Sequence, residues 1–123
     1  MLAKQWVMIG AISGFFGVAL GAFGAHALKE HLSERAQAIY QTAVQYQMIH
    51  ALALIGLGIW AAQNAALDTQ IAGWGFTAGI LLFSGSLFAL ALTDLRFLGA
   101  ITPLGGVSFL VGWIGFAFLA WKA

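Results

Sequence analysis

The chain has no cysteine, a single proline and very little charge. Asp, Glu, Lys and Arg together make up 7% of its 123 residues. A water-soluble domain carries about 25%, so this chain lacks the charge to cover a surface facing water. Without cysteine there is no disulfide and no thiolate metal site, and cysteine usage says nothing of redox compartment. Net charge is +1, which removes the electrostatic case for nucleic-acid binding. Recognisable catalytic motifs are missing as well: no metal-protease helix, phosphate loop or nucleophile elbow occurs. The sequence is therefore read as that of a non-enzyme, with no cofactor and no metal.

Apolar length fills the chain instead. Four stretches, about 6–25, 43–62, 71–93 and 101–121, each approach the roughly 20 residues that cross a bilayer core. They predict an all-α membrane protein, a bundle of four transmembrane helices forming one integral membrane domain over 1–123, with the lipid bilayer as its first partner. Lys4, the following apolar run and Ala25-His26-Ala27 mimic a secretory signal and its cleavage site. That apolar run is longer than a typical signal core, so it is read as a retained helix.

Gly10, Gly14, Gly17, Gly21 and Gly24 are spaced 4-3-4-3 in the first stretch, which places them on one helix face. Such a face lets two backbones approach closely in lipid, where van der Waals packing drives helix association. A second small-residue face, containing Gly75, Gly79 and Ser86, lies on the third stretch. A third, containing Gly105, Ser108, Gly112 and Gly115, lies on the fourth. Three such stripes exceed what one four-helix core needs, so the expectation includes a homo-oligomer or another membrane protein as partner.

Trp6, Trp60, Trp74 and Trp121 fall on one side of an up-and-down bundle, the headgroup level that indoles favour. Trp113 lies inside the fourth stretch and is expected to be packed. About 30 Å inward, twenty residues at helical rise, the counts reach His26, Tyr40, Asp94 and Ile101, where polarity resumes. Most charge lies on that far side. His26, Lys29, Glu30, Arg35, Asp94 and Arg96 form a candidate rim or docking surface. Between the spans, Ser33 can cap a helix, and no breaker follows it until Ala62. The second helix is thus expected to extend beyond the bilayer on the charged side. Thr102 and Pro103 are expected to cap and open the fourth.

The same ruler puts His50 near the midplane, with Ser84 at its level. Intramembrane polar groups are functional candidates by default. Tyr46, Gln47, His50, Ser84 and Ser86 form the candidate polar layer. Its structural reading is helix glue, with His50 bonded to Ser84 or Ser86; its functional readings are a proton or solute path, or a metal ligand. Leu54 and Leu57 interrupt any continuation toward the tryptophan side.

Several blocks carry a resemblance. Gly21-Ala-Phe-Gly-Ala-His26-Ala-Leu-Lys29, Tyr46-Gln47, His50-Ala-Leu-Ala-Leu, Phe83-Ser84-Gly85-Ser86-Leu87, Thr102-Pro103-Leu-Gly105-Gly106 and Gly112-Trp113 resemble the uncharacterised family of YgdD- and YwdK-like proteins. This small bacterial inner-membrane family has a eukaryotic relative called transmembrane protein 256. The resemblance implies a four-span protein of the bacterial inner membrane and brings no activity, substrate or catalytic residue. Two functions follow as expectations. The first is a non-enzymatic helix-packing scaffold or accessory partner. The alternative is a small oligomeric channel or transporter for a proton, ion or small solute, using the layer around His50.

An even number of spans puts both termini on one side. The absence of native cysteine makes this directly measurable. Single cysteines at Ala66 and Ala123 should react with an impermeant thiol reagent from the same side of sealed vesicles, and one at Glu30 from the other; all three reacting together would refute four spans.

Overall fold

A computed structural model describes residues 2–123. The described residues are helical with no strand. Helix α1 spans Ala3–His26, α2 Glu34–Ala62, α3 Gln70–Thr93 and α4 Thr102–Lys122. All four are long and apolar enough to cross a membrane. Helices α2 and α3 are the most buried and α1 the least. Exposed Phe15 and Val18 on α1 and Leu110 and Ile114 on α4 give the bundle an apolar exterior suited to lipid.

Helix α2 starts where its cap residue dictates. Ser33 is extended, and its Oγ accepts from the Ala36 N–H at 3.1 Å. Glu34 follows at the positive helix end. The 29 residues of α2 run about 44 Å, longer than the hydrocarbon layer, so its first turns project on the charged side.

The glycines face partners within the chain. On α1, Gly10 lies against Ala51 and Ile55, Gly17 against Met48, Gly21 against Val44 and Gly24 against the Tyr40 ring. From the opposite side, Gly58 of α2 lies against Ala3 and Val7. The α3–α4 seam is built alike: Gly75 meets the Gly112 backbone, Gly79 meets the Phe109 ring, and Gly105 meets the Phe83 backbone. The chain is thus two glycine-zipped hairpins packed through α2 and α3. Most glycines of the stripes are occupied by contacts inside the molecule, whereas Gly14 has only the Ala51 methyl near it.

Two local expectations are corrected, and one irregularity appears that the sequence did not raise. Thr102 does not cap α4: Ile101 precedes it in helical conformation, and Thr102 is the first helical residue, with Pro103 second. A 3-10 turn over Arg96–Ala100 feeds the helix. The Thr102 hydroxyl is used laterally, 2.6 Å from Ser86 Oγ. Trp6 is not an interfacial anchor. It is completely buried, with its ring on Gly73 and its Nε1–H donating to Thr69 Oγ1 at 2.8 Å. Helix α3 is not regular, because Ile80–Ser84 form a π segment between Gln70–Gly79 and Gly85–Thr93.

The stripe on α1 contains its own control. A Cβ at Gly10 would lie 2.6 Å from the Ala51 carbonyl oxygen, whereas one at Gly14 would meet only the Ala51 methyl, at 4.0 Å. Gly10→Ala should destabilise the protein in detergent by about 1–3 kcal/mol through overpacking. Gly14→Ala should be neutral or stabilising by about 0.5–1 kcal/mol through helix propensity. Thermal unfolding of the two variants measures the difference, and equal effects would contradict the packing described.

Candidate functional site

His50 lies on the inner face of α2 and is 3% exposed. Its Nδ1 is 2.7 Å from the Tyr46 carbonyl oxygen, one turn back on the same helix. Its Nε2 accepts the indole N–H of Trp113 at 3.0 Å. The ring stacks on Phe109, with centroids 3.5 Å apart and planes 8° apart. Phe76 approaches at 5.8 Å and Tyr46 at 6.1 Å. The imidazole is therefore enclosed by aromatic rings contributed by three helices.

These partners determine its chemical state. A backbone carbonyl only accepts and an indole N–H only donates. The ring must then present one N–H and one lone pair, which is the neutral imidazole protonated at Nδ1. A second proton on Nε2 would point at the indole N–H, and a metal there would need the lone pair already engaged. Either change requires Trp113 to leave. The expected bond from His50 to Ser84 or Ser86 is not formed. Ser84 is buried and donates to the Ala43 carbonyl at 2.8 Å, about two helical turns along α2 from His50. Equal counting from the tryptophans assumes that all the indoles stand at one height. Trp6, buried on Gly73, and Trp60, packed beside Phe116, are positioned by contacts instead.

The rest of the layer separates into independent units. Gln47 is buried on the α1 side of α2, where its Nε2 donates to the Ser13 carbonyl at 2.9 Å. Ser86 donates to the Phe83 carbonyl at 3.0 Å and shares a hydrogen bond with Thr102. The Tyr46 ring is 38% exposed and packs on Phe83 at 4.6 Å. No hydrogen-bond chain links these groups to His50 among the described residues. Below them toward the tryptophan side, Leu54, Leu57 and Phe76 are completely buried.

Trp113 and Phe109 were not legible as partners of His50. Trp113 is packed on one side only: it meets buried Phe76 edge to face at 4.9 Å and turns its N–H to His50, while the residue as a whole is 43% exposed. A signal did exist: an indole away from the interface needs an acceptor for its N–H, and a midplane imidazole can supply one.

The rim divides between two grooves. Lys29 lines one of about 400 Å³ between α1 and α2, with Tyr40 and the glutamine stripe Gln37, Gln41 and Gln45. Arg35 and Asp94 line the other, of about 380 Å³, between the start of α2 and the end of α3. His26, Glu30 and Arg96 are exposed and line neither. No group of three His, Asp or Glu side chains converges among the described residues.

The indole–imidazole pair can be tested by a double-mutant cycle. Trp113→Phe removes the donor, and His50→Phe replaces the acceptor with an apolar ring. The coupling should fall near 0.6 kcal/mol and not above about 1.7, the range for side-chain hydrogen bonds in membranes. Additive effects in reversible unfolding would show that the bond contributes nothing.

Comparison with known proteins gives a consistent result. The family described as "Protein of unknown function (DUF423)" matches residues 20–106. The UPF0382 membrane protein YwdK of Bacillus subtilis is 45% identical over 112 residues, covering 90% of this chain and 91% of its own length. The UPF0382 inner membrane protein YgdD of Escherichia coli is 42% identical over 119 residues, covering 92% of this chain and 86% of its own. A UPF0382 membrane protein of Staphylococcus epidermidis is 44% identical over 111 residues, covering 90% of each. No solved structure matches. With four apolar helices and relatives named as membrane proteins, one of them an inner membrane protein, this is a multi-pass inner-membrane protein. The chain belongs to the DUF423 family, whose members include the membrane proteins YwdK and YgdD and whose function is not known.

Proposed function

We propose that this protein is a non-enzymatic scaffold or accessory protein of the membrane, acting through its outer helix faces and its charged rim. One observation carries the reading: most polar groups around His50 are engaged within the bundle. Both nitrogens of His50 are engaged, and the ring is stacked on Phe109. The side chains of Gln47, Ser84 and Ser86 bond to backbone carbonyls or to a hydroxyl on a neighbouring helix. Hydrogen bonds of this kind use up polar groups that a transport path would need to offer to water or to an ion. Ser84 donates to the Ala43 carbonyl and is not paired with His50, which favours a non-catalytic role. What remains available is outside the bundle: the exposed apolar faces of α1 and α4, and the rim.

A channel is the competing reading, and flux separates the two. Vesicles containing the purified protein should conduct protons and potassium no faster than protein-free vesicles, and His50→Ala should not change that. Flux above the blank that disappears in His50→Ala would establish the channel and overturn the scaffold. Crosslinking in native membranes from exposed Phe15 and Leu110 supplies the positive test. Specific adducts with a second chain support the proposal, and a strictly monomeric protein with no adduct defeats it.

A further inference from the structure

We propose that the groove between the start of α2 and the end of α3 binds the headgroup of a phospholipid that carries both a phosphate and a primary ammonium, of the phosphatidylethanolamine type. This goes beyond the scaffold reading and does not depend on it.

The groove presents opposite charges on opposite walls. Arg35, with His31 and Ser33, comes from the α2 side, and Asp94, with Thr93, from the α3 side. Arg35 and Asp94 are exposed, and neither side chain has a hydrogen-bond or ion-pair partner among the described residues. They face one cavity of about 380 Å³ without closing on each other. A ligand whose own charges are separated can meet both at once. The phosphate would take the guanidinium, which suits it geometrically and carries a permanent charge. The ammonium would take the carboxylate through charge-assisted hydrogen bonds.

The backbone reinforces the same polarity. Asp94 ends α3 in the left-handed conformation, with φ 58°, so a carboxylate sits at the negative end of a helix dipole. A cation held there offsets that repulsion. The groove also lies at the right depth. Asp94 follows directly on the α3 span, and Arg35 belongs to the first turn of α2, which projects beyond the hydrocarbon. Ile39 and Leu90 line the cavity as well and provide apolar surface for the glycerol region and the upper acyl chains.

Charge complementarity selects among lipids. A glycerol headgroup offers its phosphate to Arg35 but only neutral hydroxyls to Asp94, without a charge to match the carboxylate. A choline headgroup has a cation without an N–H to donate. Glu34, although adjacent in sequence, does not line the groove, and Lys29 lines the other one.

The test is lipid retention by the purified full chain. Protein exposed to an equimolar mixture of phosphatidylethanolamine, phosphatidylcholine and phosphatidylglycerol is analysed by native mass spectrometry. Wild type should retain the ethanolamine lipid about tenfold over the other two, the ratio expected from one charge-assisted hydrogen bond. Asp94→Asn keeps a residue that tolerates the left-handed cap. It should abolish the preference over phosphatidylglycerol while still retaining phosphatidylglycerol. Arg35→Gln should lower retention of all three. Equal retention of the three lipids by wild type would overturn the proposal without reference to any variant. An unchanged preference in Asp94→Asn, with normal helicity, would overturn it too, as would a dimer that fills the groove and dissociates in Arg35→Gln while lipid retention stays constant.

Discussion

A polar atom in hydrocarbon has no water to turn to, and the interior of this protein is arranged around that constraint. The bond from Trp113 to His50 is its clearest expression. A donor-only indole on α4 meets an imidazole on α2, and the other imidazole nitrogen is engaged by the Tyr46 carbonyl of α2 itself. Because the partners fix where the proton sits, the same contact that ties two hairpins together also holds the ring neutral. Phe109 then covers the ring from one side. The result is a stacked, hydrogen-bonded cluster that joins α2 to α4 inside the bundle.

Two kinds of contact divide the work of holding the bundle. Within each hairpin the glycines bring backbones together, Gly10 onto Ala51 in the first and Gly75 onto Gly112 in the second. Dispersion forces need such proximity, because apolar burial gives no advantage between helices already in lipid. Between the hairpins, polar side chains join the aromatic core: Trp113 to His50, Ser84 to the Ala43 carbonyl, and Trp6 to Thr69 just ahead of α3. Polar residues placed in this way specify how the hairpins dock. The exposed rim is under no such constraint, and Arg35 and Asp94 have no side-chain partner among the described residues.

Much of this organisation is legible in the sequence because bilayer thickness imposes a length on each apolar run. The Ser33 cap, the long α2 and the glycine face of α1 all follow from local spacing. The partner of that glycine face does not. Spacing shows that Gly10 and Gly17 share a side, but only the rotation of α1 against α2 shows that the side is occupied within the chain. The partner of His50 is hidden for the same reason. His50 and Trp113 are 63 residues apart on non-consecutive helices, and nothing local to either residue states which way the other points. The π segment over Ile80–Ser84 holds no proline, and the glycines that flank it, Gly79 and Gly85, do not by themselves distinguish a π segment from close packing. Trp6 misleads because an indole at a helix start reads as an interfacial anchor, whereas here Gly73 makes room for it inside.

The functional reading depends on the chemical state of one ring. If His50 is a neutral, fully engaged member of the core, the protein acts from its surfaces; if its Nε2 is free to take a proton or a ligand, the midplane is active. Nitrogen NMR of the imidazole in reconstituted bilayers decides between these directly. The account predicts a single neutral species at neutral pH, with its proton on Nδ1 and a hydrogen bond from the Trp113 indole onto Nε2. A ring protonated at Nε2, or one carrying both protons, would contradict it.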